Sequence, residues 1–196
     1  MMLEKFKKAQ EAEITRLLDM QKQGGMPKPY SGTRVSFSSS LKRKKPIAII
    51  AEYKRASPSK GAINLEAKPE ETALAYARAG AAAISVLTEK TYFRGDIAYL
   101  SKMAKPGLPL LRKDFLLHPL QVEETAATQA SALLLISRIL DNDGFEEMLK
   151  ASISAGLETV LEVFDEEDLD KTRQVLGKVS IIPQVIIQVN NRNLQP

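Results

Sequence analysis

The chain has 196 residues, 44% of them apolar and 27% charged, which fits one folded domain with a real core and argues against a disordered polypeptide. It has no cysteine and a single histidine, His118, which removes disulfides, thiolate metal sites and cysteine nucleophiles and speaks against a His-based triad or multi-His metal site. A formal net charge of +4 favours small anionic ligands such as phosphate esters and is too weak to argue for nucleic acid.

Residues 2–23 read as an amphipathic helix, with Leu3, Phe6, Ile14, Leu17 and Leu18 on one stripe and Gly24 and Gly25 as its stop. Residues 26–45 are rich in Pro, Ser and Lys and read as a long loop with a short helical turn at 36–41. The basic run Lys42, Arg43, Lys44 and Lys45 is read as a solvated part of that loop. Residues 1–45 therefore form an N-terminal extension, and 46–196 a repeating region.

In that region strands are expected at 47–53, 83–87, 109–113, 132–136, 159–163 and 185–189. Helices are expected at 69–80, 96–104, 119–129, 142–155 and 166–176. The first strand, Ile and Ala ending in Glu52, Tyr53, Lys54 and Arg55, reads as a buried parallel strand. Strands alternate with helices without a hairpin signal, which means parallel strands joined by right-handed crossovers. A doubly wound sheet and a (β/α) barrel both satisfy this. The dinucleotide fingerprint and the Walker A loop are absent after the first strand.

Polar groups fall at the C-terminal end of every strand, which favours the barrel, whose strands converge on one mouth. They are Glu52 and Lys54, then Thr88 and Glu89, then Arg112, Lys113 and Asp114, then Ser137 and Arg138, then Glu162, then Asn190, Asn191 and Arg192. Glu52 and Lys54 are two apart and share a face of a strand, either as a site or as an ion pair plugging a barrel end. Lys113 sits between Leu110–Leu111 and Phe115–Leu116, partly desolvated and suited to proton transfer, unless it reaches solvent or pairs with Asp114. Glu162 in VLEVF is costly to bury without a partner and suits either general-base work or a structural salt bridge. Asn190 offers an amide or a turn, and Arg192 a bidentate clamp for a carboxylate or phosphate. Phe93 and Phe115 are loop anchors or flank an aromatic substrate, and Ser57 and Ser59 with Gly61 can donate to an anion. His118 before Pro119 reads as structural, and the acidic run 165–168 as a helix cap. The set Lys, Glu, Asn and Arg fits acid–base chemistry on a carbonyl-bearing anion with no metal and no cofactor.

The stretches IAEYKRASPSKG, AISVLTEKTYFRGD, LPLLRKDFLLHPLQV, LEVFDEEDL and VNNRNL resemble the indole-3-glycerol-phosphate synthases over nearly the whole chain. The resemblance implies an α/β fold, a TIM (β/α)8-type barrel with an N-terminal helical extension, of which six β/α units are present here. It implies a cytoplasmic lyase of tryptophan biosynthesis acting on 1-(2-carboxyphenylamino)-1-deoxyribulose 5-phosphate, without metal or cofactor and with no nucleic-acid or membrane partner. Lys113 would be the general acid at the ribulose carbonyl and Glu162 the partner in dehydration. Lys54 would orient the substrate carboxylate, Glu52 and Asn190 would hold these groups and the developing hydroxyl, and Ser57, Ser59, Phe93, Phe115 and Arg192 would line the pocket.

Gln188 stands where the family usually has glycine, and residues 178–183 carry an apolar run where a short loop is expected. The family's seventh and eighth strands, whose loops hold the substrate phosphate, would follow Pro196. Without them the chain is alternatively expected to be a non-catalytic fragment that self-associates or binds a complementing chain through an open barrel edge. Another phosphate-binding barrel, phosphoribosylanthranilate isomerase, fits the SPSKG and LRKDF stretches less well.

Overall fold

The computed structural model describes residues 2–179 and 185–191. The N-terminal helix α1 spans Met2–Lys22 and α2 spans Phe37–Arg43, whose N-cap Ser36 accepts from Ser39 N. The repeats follow as β1 Ile50–Tyr53, the short strands β2 Ala56–Ser57 and β3 Gly61–Ala62, α3 Pro69–Arg78, β4 Ala83–Leu87, α4 Ala98–Lys102 and β5 Leu110–Lys113. They continue as α5 Pro119–Ala126, β6 Ala132–Ile136, α6 Asn142–Ser154, β7 Glu158–Val163, α7 Glu166–Gly177 and β8 Val185–Val189. The strand order is β1-β4-β5-β6-β7-β8, with every described pairing in this sheet parallel. This is the α/β architecture of a (β/α) barrel, carried through six units. Among the described residues no helix is long and apolar enough to cross a membrane.

Local chemistry explains the helix starts. Pro69 occupies the first turn of α3 with Glu70 and Glu71 beside it, where a missing N–H is harmless and negative charge is favoured. Asp141 and Asp165 cap α6 and α7 by accepting from Gly144 N at 2.7 Å and Asp168 N at 3.0 Å. The acidic run is thus a cap. His118 is structural as expected: its Nδ1 accepts from Leu120 N, and the Gln121 side chain reaches back to complete a capping box.

Two expectations are corrected. The first strand begins at Ile50 instead of 47 and is only partly buried: Ile50 is 40% and Tyr53 3% exposed, and Ile47 and Ile49 ahead of it are 78% and 64% exposed. Among the described residues β1 stands at one end of the strand order and β4 alone pairs with it, so the apolar run reads more buried than it is. The absence of hairpins is also overturned, because β2 and β3 pair antiparallel through Ala56↔Ala62 and Ser57↔Gly61. Gly61, at φ 63°, supplies the left-handed backbone this tight return needs. The apolar run 178–183 falls mostly outside the described residues.

The chain divides into two compact units, one of Tyr30–Asp114 with Thr128–Leu133, the other of Met1–Pro29, Phe115–Ala127 and Leu134–Pro196. Each is taken by itself. In the first, Tyr53, Ala73, Ile84, Val86, Leu100, Met103, Leu110 and Ala130 form a core between the strands and α3 and α4. Arg34 ties the connecting loop down by donating to the carbonyls of Ala130 and Thr128. In the second, Gln121 of α5 donates to Gln10 of α1 at 2.8 Å, and Arg16 pairs with Glu124. The N-terminal helix is thereby fastened through a buried amide pair as well as by its apolar stripe.

Candidate active site

In the first unit the strand register sorts the side chains. Glu52 is opposite Ser85, Ser85 opposite Leu111 and Leu87 opposite Lys113, and residues in parallel register share a face. Tyr53, Val86 and Arg112 are in register on the other face, where the core lies. Glu52 and Lys113 are therefore presented on the face opposite the helices. Lys54 Nζ reaches Glu52 Oε1 at 2.5 Å, with both side chains about one-third exposed (30% and 35%). At that exposure the pair adds little stability, and its consequence is a fixed orientation of carboxylate and ammonium.

Two supports hold this face in place. The Tyr76 hydroxyl of α3 donates to the Glu52 carbonyl at 2.8 Å. Burial, then the nearby Glu52 charge, raises the Tyr76 pKa, so the hydroxyl stays protonated as a donor. Around Lys113, the flanking residues Arg112 and Asp114 turn the other way and are buried, with side chains 5% and 4% exposed. Thr88 Oγ1 donates to Asp114 Oδ2 at 2.5 Å, and Arg112 donates to Thr88 Oγ1 at 3.2 Å and to Asp114 Oδ2 at 3.4 Å. Thr88 N also donates to the Lys113 carbonyl at 3.1 Å. The alternation of a strand could have revealed this: i and i+2 around Lys113 must face away from it.

The loops of this unit are equally built. Ser57 is buried in the β2–β3 turn, where its Oγ accepts from Lys60 N at 3.2 Å and lies 3.5 Å from Ser59 Oγ. Glu89, 2% exposed, accepts from the backbone N–H groups of Thr91, Tyr92 and Phe93 at 2.8, 2.7 and 3.0 Å. It shapes the loop that carries Phe93. A Cβ at Gly95 would lie 2.5 Å from the Leu87 carbonyl oxygen, so only glycine closes this loop. In sequence Glu89 is one of the strand-end polar groups, and nothing in its context distinguishes an acceptor for its own loop from a ligand.

In the second unit Glu162 is 2% exposed on β7, and Gln188 Nε2 of β8 donates to its Oε2. Asn190 follows β8 and its backbone N–H donates to the Val163 carbonyl at 2.9 Å. Phe115 stacks on Phe6 of α1 with centroids 4.1 Å apart, so it anchors the N-terminal helix. Arg138 pairs with Asp165 and Asp168 at 2.7 and 2.6 Å and lies over the Phe164 ring, which makes it a structural clamp between the end of β6 and α7. The backbone N–H of Asp168, then the Arg138 charge, holds the Asp165 carboxyl below its ordinary pKa. Arg192 lies outside the described residues.

The sequence matches the profile of the family described as indole-3-glycerol phosphate synthase over residues 3–196. The chain belongs to the indole-3-glycerol phosphate synthase family. Among curated relatives of that name, the one from Shouchella clausii is 40% identical over 196 residues, covering 99% of this chain and 72% of the relative. Those from Carboxydothermus hydrogenoformans and Acinetobacter baylyi are each 41% identical, over 76% and 81% of this chain and 54% and 57% of the relatives. The chain thus spans from a little over half to about three quarters of the length of these synthases. A phospho-2-dehydro-3-deoxyheptonate aldolase structure from Thermotoga maritima aligns with TM-score 0.48 at 17% identity over 76% of this chain and 43% of its own, too slight a likeness to build on.

Proposed function

We propose that this chain carries out the indole-3-glycerol phosphate synthase reaction, as a carboxy-lyase of tryptophan biosynthesis acting in the cytoplasm. The observation that carries the proposal is the Glu52–Lys54 pair on the face of the first unit that also presents Lys113, in a chain of this family. The substrate is 1-(2-carboxyphenylamino)-1-deoxyribulose 5-phosphate. Its aryl carbon bearing the carboxylate bonds to the ribulose carbonyl carbon, while the Lys113 ammonium gives a proton to the carbonyl oxygen. Carbon dioxide then leaves and its bonding electrons return to the ring. The new hydroxyl takes a proton and departs as water while the adjacent methylene carbon gives up a proton to form the ring double bond, with Glu162 as the acid–base partner of that step. Lys54 holds the substrate carboxylate, oriented by Glu52, and Asn190 holds the developing hydroxyl. By resemblance to the family, Ser57, Ser59, Phe93, Phe115 and Arg192 would contact the substrate.

The test is genetic. A bacterium lacking its own synthase should grow without tryptophan when it expresses this chain and should not when it expresses Lys113→Ala at equal soluble level. Growth with the Lys113→Ala chain, or none with the unaltered one, contradicts the proposal.

A further inference from the structure

We propose that Gln188 is a positioning residue for the Glu162 carboxylate. The inference rests on the reading of Glu162 as the acid–base group. β7 and β8 pair in parallel with Glu162 in register with Gln188, so the two side chains leave the same face of adjacent strands. Gln188 Nε2 donates to Glu162 Oε2. An ionised carboxylate only accepts, so the nitrogen end of the amide must face it. Glu162 is 2% exposed, and the amide supplies a donor that bulk water cannot.

The strand neighbours of Gln188, Ile187 and Val189, point the opposite way, and Val189 is 74% exposed. Gln188 alone on β8 is therefore both polar and in register with the carboxylate. Engaging one oxygen restrains the terminal torsion of Glu162, which is otherwise broad, and so sets the direction of the other oxygen. Proton transfer needs that direction held to within hydrogen-bond reach.

A donor role and a space-filling role separate on two substitutions, Gln188→Leu and Gln188→Glu. Glutamate matches glutamine in size but offers a negative acceptor where the donor was. If Gln188 positions Glu162, Gln188→Leu lowers kcat about tenfold or more with KM within about twofold, and Gln188→Glu falls at least as far. If Gln188 merely fills space, Gln188→Leu, of similar bulk and without the donor, keeps wild-type kcat, and the inference is overturned. Glu162→Gln in a fluorescence assay of indole-3-glycerol phosphate formation separates the two levels of the argument. Loss of turnover there with intact Gln188 variants removes the positioning role alone, whereas an active Glu162→Gln, or an inactive wild type, removes both. A urea double-mutant cycle between Gln188→Leu and Glu162→Gln reads the contact without catalysis. A non-zero coupling is expected, and zero coupling overturns the proposal.

Discussion

Asp114→Asn probes the scaffold behind Lys113. The substitution keeps the shape of the side chain and removes the charge that Arg112 faces. Both side chains are almost fully buried, 5% and 4% exposed, so solvent screens little of what is lost. Removing one partner of a buried pair costs ~3–5 kcal/mol, because the other charge stays behind uncompensated. Asparagine still offers Thr88 an acceptor oxygen, which places the expected loss at the lower end, about 3 kcal/mol. For a chain of this size that lowers Tm by ~6–12 °C. Urea titration followed by far-ultraviolet circular dichroism measures the loss, and a thermal scan gives Tm. The double variant Arg112→Met with Asp114→Leu should recover most of it, since no orphaned charge remains. A loss below about 1 kcal/mol for Asp114→Asn, or a double variant no better than the single, would refute the reasoning that a buried charge pair pins this strand end.

Two further outcomes follow from the same geometry. Glu89→Ala leaves three loop N–H groups without their acceptor, so KM for the substrate should rise severalfold through the displaced Phe93 loop while kcat changes less; an unchanged KM counts against a pocket role for that loop. Asp165 has a lowered pKa in the folded chain, so its charge contributes stability above the ordinary aspartate range, and that contribution is lost as pH falls through the folded value. Asp165→Asn keeps a capping oxygen but no longer titrates, so its Tm should fall less than that of the wild type between about pH 5 and pH 3, and parallel curves would contradict the assignment.

The strands at Ala83–Leu87, Ala132–Ile136 and Val185–Val189 were legible to the residue, because short Val, Ile, Leu and Ala runs bounded by turn residues leave little choice. The first strand was misjudged because hydrophobicity reports what a residue prefers, whereas exposure depends on whether a neighbour lies beside it. Ile47 and Ile49 have the composition of a covered strand but lie exposed ahead of β1, which ends the strand order among the described residues. The β2–β3 hairpin was hidden because strands of two residues carry no periodicity. At the site, the i, i+2 pairing of Glu52 and Lys54 was readable from spacing and holds at 2.5 Å. Partners distant in sequence were not readable. Thr88 with Asp114, Tyr76 with Glu52, and Gln188 with Glu162 depend on register between separate strands and helices, which no local pattern encodes.

The measurement that bears most directly on the account is the fluorescence of indole-3-glycerol phosphate formed by the purified protein from 1-(2-carboxyphenylamino)-1-deoxyribulose 5-phosphate, set beside Lys113→Ala of equal helical content. The account predicts steady product formation that the substitution abolishes. A folded protein that forms no product, or a Lys113→Ala variant that forms it at the wild-type rate, would contradict it.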